Sequence, residues 1–176
     1  MAGKGALIVV DMQNDYLWGL RKPQFTYHTE QLVANVNQVI EFYQGFNFDV
    51  HYIREVIPNN WLTRKLIGHS LSGTLGIELY EGLEVVSDLI WDKQMPDAFS
   101  VPAFRDMASK RNYTEIAVCG LDFCGCAGET AKGAALTGAH VVLLQDCTGT
   151  RYGADRIAKM TMQLTNVGVQ IQVPNN

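Results

Sequence analysis

The chain has 176 residues, 47% of them hydrophobic, with 14 Lys and Arg against 18 Asp and Glu and a formal net charge of −4 at pH 7. No stretch rich in Pro, Ser or like charge divides it, so we expect one domain over residues 1–176. The absence of a basic cluster from the sequence excludes the electrostatic footprint that binding to nucleic acid or to an anionic membrane requires.

The apolar run before Asp11 is too short for a signal-peptide core or a membrane span, and no other stretch approaches that length. Three of the four cysteines lie within eight positions, which is too crowded for the framework of a secreted scaffold. We therefore expect a cytoplasmic protein whose cysteines stay reduced.

In the first half of the chain, apolar and β-branched runs predict three strands. Between them lie a predicted helix, with Thr29 as its N-cap and Gly45 at its end, and an irregular glycine-containing segment with room for a short helix. In chain order these elements are the strand ALIVV (6–10), the helix 29–45, the strand DVHYI (49–53), the irregular segment 61–84 and the strand DLIW (88–91).

In the second half, predicted helices and strands alternate. They are the helix 102–110, the strand EIAVC (115–119), the helix 127–138, the strand HVVLL (140–144), the helix 154–168 and the strand VGVQIQV (167–173). Continuous apolar runs suit strands that are buried on both faces. The alternation predicts an α/β, three-layer α/β/α, doubly wound fold with a mostly parallel, Rossmann-like sheet.

Three chemically different groups follow ends of predicted strands, namely Asp11, Lys93 and Cys126. Ligands of open α/β sheets bind outside the carboxyl ends of the strands, so these groups could meet in one crevice. Together they could activate a thiol, because a helix N-terminus and an ammonium group lower a cysteine's pKa and a carboxylate can take its proton. Taken singly, each has a structural explanation: a turn or cap for the Asp, solvation for the Lys, and packing for the Cys.

The segments ALIVVDMQNDYL, WDKQMPDAF and VCGLDFCGCAGETAKGAALTG resemble the three signature segments of the isochorismatase-like cysteine hydrolases, a superfamily that includes nicotinamidases. The resemblance implies a catalytic triad of Asp11, Lys93 and Cys126, with Cys126 rather than Cys124 as the nucleophile. It also implies an oxyanion hole formed by the backbone N–H groups of Asp122 and Cys126, with a cis peptide bond between Leu121 and Asp122. We expect these six strands to lie in the order 3-2-1-4-5-6, which places strands one and four side by side.

Nicotinamidases carry an Asp-x-His metal motif and a further His after the second strand, and this chain departs from that pattern. The corresponding segment, YIREVIPNNW, has no such pair, His51 lies inside the predicted strand, and His69 lies far along a glycine-rich segment. We therefore expect no metal and no cofactor. No G-x-G-x-x-G follows the first strand, which disfavours a flavin or nicotinamide enzyme.

The expected function is a thiol-dependent hydrolase that cleaves a carbon–nitrogen bond of a small amide through a thioester. Aromatic candidates for the substrate pocket are Tyr16, Trp18, Trp61 and Phe99, each of which could instead belong to the core or to a subunit interface. The alternatives are a non-catalytic binding or assembly protein on the same fold, and a redox or metal-binding protein that uses Cys124 and Cys126, although a Cys-x-Cys bridge would be strained. The resemblance also implies a homo-oligomer.

Overall fold

The computed structural model describes residues 4–172, which form one six-stranded sheet with helices on both faces. All paired strands run parallel, in the order β3-β2-β1-β4-β5-β6. The strands are β1 (Lys4–Val10), β2 (Asp49–Glu55), β3 (Ile90–Lys93), β4 (Tyr113–Leu121), β5 (His140–Gly149) and β6 (Gln170–Gln172). The predicted fold class and strand order are confirmed; the last residue of the sixth predicted strand, at position 173, lies outside the described residues.

Six α-helices and two short 3₁₀ turns, at Leu75–Ile77 and Ala98–Ser100, connect the strands within residues 4–172. The helices are α1 (Asn14–Leu17), α2 (Thr29–Gly45), α3 (Trp61–Leu66), α4 (Pro102–Arg111), α5 (Cys126–Ala135) and α6 (Ala154–Asn166). The predicted N-cap at Thr29 is wrong: Thr29 is the first helical residue, and its hydroxyl donates to the carbonyl of Leu17 at 2.9 Å. The sequence pattern also missed α1, which is only one turn long.

Alternate side chains of β1 enter two separate apolar layers. Ala6, Ile8 and Val10 pack with residues of α4, α5 and α6, whereas Leu7 and Val9 pack with residues of α2 on the opposite face. This two-sided burial explains the continuous apolar run of the first strand, since neither face of β1 meets water.

The register of the parallel strands brings the carboxyl ends of β1, β2 and β4 to one edge. Val10 pairs with Ile53 of β2 and with Gly120 of β4. Gly120 has a φ of +104°, and a Cβ there would lie 2.2 Å from the carbonyl oxygen of Val10, so the close approach of β4 to β1 requires glycine. Residues that directly follow these strands are therefore neighbours.

No helix within residues 4–172 is both long and apolar enough to cross a bilayer.

Candidate active site

A buried ion pair lies at the carboxyl edge of the sheet. Lys93 ends β3 and Asp11 follows β1, and the Lys93 Nζ donates to Asp11 Oδ2 at 3.0 Å. The two residues are 2% and 3% exposed, so each charge depends on the other for compensation. Burial by itself would lower the pKa of Lys93, but the charges of Asp11, Cys126 and Glu55 outweigh it and raise that pKa, which keeps the ammonium protonated.

The Cys126 thiol lies beside this pair. Cys126 is the first residue of α5 and is partly buried. Burial raises its pKa, the Asp11 charge raises it further, and Lys93 opposes the shift only in part. This direction is opposite to the lowered pKa expected from the sequence: burial and the Asp11 carboxylate outweigh the Lys93 ammonium.

The Asp11 carboxyl and the Cys126 thiol influence each other's protonation. Burial raises the pKa of Asp11 as well, while Lys93 and a hydrogen-bond interaction with the Cys126 thiol lower it in part. Asp11 Oδ1 is buried, and no residue that the structure describes lies at a distance and angle that would make a full hydrogen bond to it. The titrations of the two groups are therefore coupled, and Oδ1 is available to accept a proton.

Two backbone N–H groups next to the thiol are available to a ligand. The peptide bond between Leu121 and Asp122 is cis, as predicted. Within residues 4–172, neither the N–H of Asp122 nor that of Cys126 donates a hydrogen bond. Free N–H groups next to a nucleophile are the arrangement that stabilises an oxyanion.

The Asp122 carboxylate fixes the loop between β4 and α5. It accepts hydrogen bonds from the N–H of Cys124 at 2.7 Å, the N–H of Arg151 at 3.0 Å and the hydroxyl of Tyr27 at 3.0 Å. The carbonyl of Asp122 also accepts from the N–H of Gly125 at 2.9 Å. Hydrogen bonds to the Asp122 side chain and to its backbone carbonyl therefore fix the loop that carries both free N–H groups.

A small cavity of about 150 Å³ opens onto the thiol. Six of the residues that line it are polar or charged, namely Asp11, Glu55, His69, Asp122, Cys126 and Arg151. Tyr16, Phe25, Tyr27 and Tyr152 supply aromatic walls, so the cavity suits a small, partly planar molecule. A larger groove of about 500 Å³ runs between α4 and α5, away from Asp11 and Cys126.

Of the four aromatic residues predicted for the substrate pocket, the structure brings Tyr16 to this cavity and places the other three elsewhere. Trp18 follows α1 and is partly buried outside the cavity. Trp61 begins α3 and is 76% exposed. Phe99 is buried in the apolar layer against Phe104 and lines the larger groove. Tertiary packing therefore determines which aromatic side chains reach the cavity, and closeness to Asp11 in the sequence does not.

Glu55, His69 and Arg151 also line the cavity and were not among the site residues predicted from the sequence. Glu55 ends β2, so the position rule that nominated Asp11 and Lys93 could have found it. His69 and Arg151 lie in loops, and no local pattern marks them. The hydroxyl of Tyr16 donates to Glu55 Oε2, and His69 Nδ1 lies 3.9 Å from the same oxygen.

The cavity contains side chains of the metal-ligand type, including Glu55 and His69. Among the described residues, however, no three His, Cys, Asp or Glu side chains are grouped so that they could hold an ion. His51 is fully buried away from the cavity, where Nδ1 accepts from the indole N–H of Trp91 at 3.2 Å and Nε2 bonds to the hydroxyl of Tyr113 at 2.9 Å. That the protein binds no metal stays a prediction.

Cys124 faces a different environment from Cys126. All four cysteines are free thiols, and Cys124 lines a separate cavity with Glu129, Arg156 and Lys159. Burial raises the pKa of Cys124, and a weak contact with the Thr150 hydroxyl at 3.9 Å opposes this only in part. The two thiols therefore open into different cavities.

The chain resembles proteins of known structure over nearly its whole length. It shares 22% identity and a TM-score of 0.81 with a pyrazinamidase of Pyrococcus horikoshii in complex with zinc, covering 96% of this chain and 98% of that one. It shares 22% identity and a TM-score of 0.77 with N-carbamoylsarcosine amidase from Thermoplasma acidophilum, covering 96% and 95%. For an isochorismatase family protein from Desulfovibrio vulgaris the values are 19%, 0.80, 96% and 93%.

At these identities the structural likeness shows the fold alone. Comparison with curated protein sequences gives no match. The sequence profile of the isochorismatase domain, however, matches residues 5–172. Because that match spans almost the entire chain, the protein belongs to the isochorismatase family.

Proposed function

We propose that the protein is a cysteine-dependent hydrolase that cleaves the carbon–nitrogen bond of a small amide. The observation that carries the proposal is the arrangement at the sheet edge: a buried Lys93–Asp11 ion pair beside the Cys126 thiol, with two N–H groups free. The names of the similar structures, a pyrazinamidase and an N-carbamoylsarcosine amidase, support an amide as the substrate class. No cofactor, metal or nucleic acid enters the proposed reaction.

In the first half of the proposed reaction, Asp11 acts as the base. Its free Oδ1 takes the thiol proton, and the Cys126 sulfur attacks the amide carbon. The N–H groups of Asp122 and Cys126 bind the oxygen on which negative charge develops. Asp11 then gives the proton to the leaving nitrogen, and the carbon–nitrogen bond breaks to leave a thioester on Cys126.

Lys93 supports this step without transferring a proton. Its raised pKa keeps it cationic, and its charge stabilises whichever of Asp11 and Cys126 is negative. Because the proton moves between two neighbours beside a fixed positive charge, the net charge of the site stays constant during attack. The cavity volume of about 150 Å³ limits the substrate to a small molecule.

The test is ammonia release from a panel of small primary amides. We expect at least one amide to be hydrolysed, with turnover abolished in Cys126→Ala and lowered by about 10²-fold or more in Asp11→Asn and Lys93→Met. Cys124→Ser is the matched control and should keep most of the activity, since its thiol opens into another cavity. Equal turnover in Cys126→Ala and the unmodified protein would refute the proposal.

A further inference from the structure

Glu55 is a fourth charged group at the catalytic edge of the sheet. It ends β2 and pairs in register with Lys93 of β3, and the N–H of Asp11 donates to the carbonyl of Ile53 in the same strand. The side chain of Glu55 lines the cavity that contains Cys126. Its charge raises the pKa of Asp11, Lys93 and Cys126, so it acts electrostatically on every member of the proposed triad.

Hydrogen bonds fix both the backbone and the carboxylate of Glu55. The Gln13 side chain accepts from the N–H of Glu55 at 2.8 Å and donates to its carbonyl at 3.0 Å. Because the Tyr16 hydroxyl donates to Glu55 Oε2, the Ser70 hydroxyl, 2.7 Å from the Tyr16 oxygen, must be the donor to Tyr16. His69 Nδ1 lies 3.2 Å from the Ser70 oxygen and is then the donor to Ser70.

This network leaves one carboxylate oxygen of Glu55 open. Oε1 accepts no hydrogen bond from any residue within 4–172, whereas Oε2 is held by Tyr16. The Glu55 side chain is 17% exposed, compared with 4% for the side chain of Asp11. Glu55 therefore reaches water in the cavity, while Asp11 is enclosed between Lys93 and the thiol.

We propose that Glu55 is the general base that activates the water molecule in the second half of the reaction, the hydrolysis of the Cys126 thioester. The inference rests on the proposed function, because it requires an acylated Cys126. Water forms a bond from its oxygen to the thioester carbon and gives one proton to Glu55 Oε1. The carbon–sulfur bond then breaks, its electron pair remains on sulfur, and the proton held by Glu55 restores the thiol. The carboxylic acid product leaves and loses its own proton to solvent.

This division of labour follows from the two environments. Asp11 exchanges a proton with an adjacent sulfur, a task for which a buried oxygen without a hydrogen bond is suited. Glu55 takes a proton from a mobile water molecule, which requires an oriented carboxylate with one free oxygen at the cavity wall. The Tyr16, Ser70 and His69 side chains are positioning residues in this scheme.

The experiment uses p-nitrophenyl acetate, an activated ester that acylates a reactive thiol without the natural substrate. A burst of p-nitrophenolate reports acylation, the steady-state rate reports deacylation, and intact mass reports the acetyl-enzyme. We expect Glu55→Gln to keep the burst, to lower the steady-state rate by about 10²-fold or more, and to retain one acetyl group on Cys126. Hydroxylamine should restore turnover, because a strong nucleophile cleaves a thioester without a general base.

Two further variants distinguish a catalytic role of the Glu55 carboxylate from a purely structural role. Glu55→Asp keeps a carboxylate and should recover part of the deacylation rate, and Tyr16→Phe, which removes the orienting hydrogen bond, should slow deacylation while keeping the burst. Glu84→Gln, at an exposed carboxylate outside the cavity, is the control and should behave as the unmodified protein. If Glu55→Gln does not fold, Tyr16→Phe and Glu55→Asp decide the matter by the same burst and steady-state rates.

The possible failures are distinguishable. Deacylation of Glu55→Gln at the rate of the unmodified protein, or loss of its burst in a folded protein, would overturn the role of Glu55. Absence of p-nitrophenolate release by the unmodified protein, or equal release by Cys126→Ala, would instead refute the proposed function itself.

Discussion

The protonation of the Cys126 thiol is coupled to that of the Asp11 carboxyl, and burial and the surrounding charges set the pKa of each group. Burial raises the pKa of both groups, and the carboxylate charge raises that of the thiol further. In the resting protein Cys126 is therefore a protonated thiol, and in the proposed reaction it becomes a thiolate as Asp11 takes the proton. On the proposed mechanism, the reactivity of Cys126 depends on proton transfer to Asp11.

Alkylation with iodoacetamide tests this coupling. Cys126 is the most exposed of the four cysteines, but its raised pKa keeps it protonated, so its labelling at neutral pH should be slow in the unmodified protein. Asp11→Asn removes a negative charge that raises the pKa of Cys126, so labelling at neutral pH should become faster even though amide turnover falls. Peptide mapping after limited treatment gives the site and the rate.

Two results would contradict this account. Labelling of Cys126 in the unmodified protein as fast as that of a free thiol would mean that its pKa is not raised. Slower labelling of Cys126 in Asp11→Asn would mean that the carboxylate promotes thiolate formation in the resting protein, and the raised pKa would then be wrong.

At the scale of secondary-structure elements, the contact between β1 and β4 sets the distance between Asp11 and the loop that leads from β4 to Cys126. In Gly120→Ala the new Cβ would lie 2.2 Å from the carbonyl oxygen of Val10, at a φ of +104°. We expect the free energy of unfolding to fall by about 3 kcal/mol or more, from the left-handed backbone and from overpacking together, with amide turnover lost.

Gly138→Ala is the matched control for this substitution. Gly138 also has a positive φ, of +84°, but no atom lies within 4 Å of a Cβ built there. It should lose only the conformational contribution, about 1–2 kcal/mol, and keep its activity. Urea unfolding of both variants measures the difference, and equal losses would show that the close approach of the strands costs nothing.

A second element-scale feature is the buried His51, which links β2 to Trp91 of β3 and Tyr113 of β4. Burial lowers its pKa from 6.5 to about 4; the Asp49 charge opposes this shift, and the cations Arg111 and Lys4 add to it. Between these values the unfolded chain binds a proton that the folded protein does not. The contribution of His51 to stability is therefore fully present above pH 6.5 and is lost as the pH falls towards 4.

Urea unfolding at pH 7 and pH 4.5 measures this effect. The unmodified protein should lose roughly 2–3 kcal/mol more between the two pH values than His51→Gln, whose side chain does not titrate. Subtracting the loss in the variant removes the contributions of Asp49 and other carboxyl groups. Identical losses in the two proteins would show that His51 does not keep its proton-free form on folding.

At the scale of the whole molecule, α3 presents an apolar surface to solvent. It has no buried residue, and Trp61 and Leu66 are 76% and 71% exposed. Because exposed apolar side chains in a group mark interaction surfaces, we expect the protein to form a homo-oligomer through this helix. Light scattering should give a mass of at least twice 19.6 kDa, and Trp61→Asp should lower it. A mass of one chain for the unmodified protein would contradict the expectation.

The strands, the sheet order and the positions of Asp11, Lys93 and Cys126 could be predicted from the sequence, since buried parallel strands leave continuous apolar runs and the three motif segments follow them. The expected positions of Trp18, Trp61 and Phe99 did not match, because aromatic side chains pack in a core and on a surface as readily as in a pocket. Glu55 was within reach of the same position rule, whereas His69 and Arg151 were not, as loops carry no periodic pattern.

The sequence by itself determined which residues follow each strand, and therefore which chemical groups could meet at the carboxyl edge of the sheet. Only the tertiary structure decided which groups share the cavity with Cys126, because that depends on how the segments 14–27, 67–71 and 150–153 fold over the edge. It also decided that the pKa of the thiol is raised. The competition between burial, the Asp11 carboxylate and the Lys93 ammonium is settled by solvent exclusion and by through-space distances, which residue order does not specify.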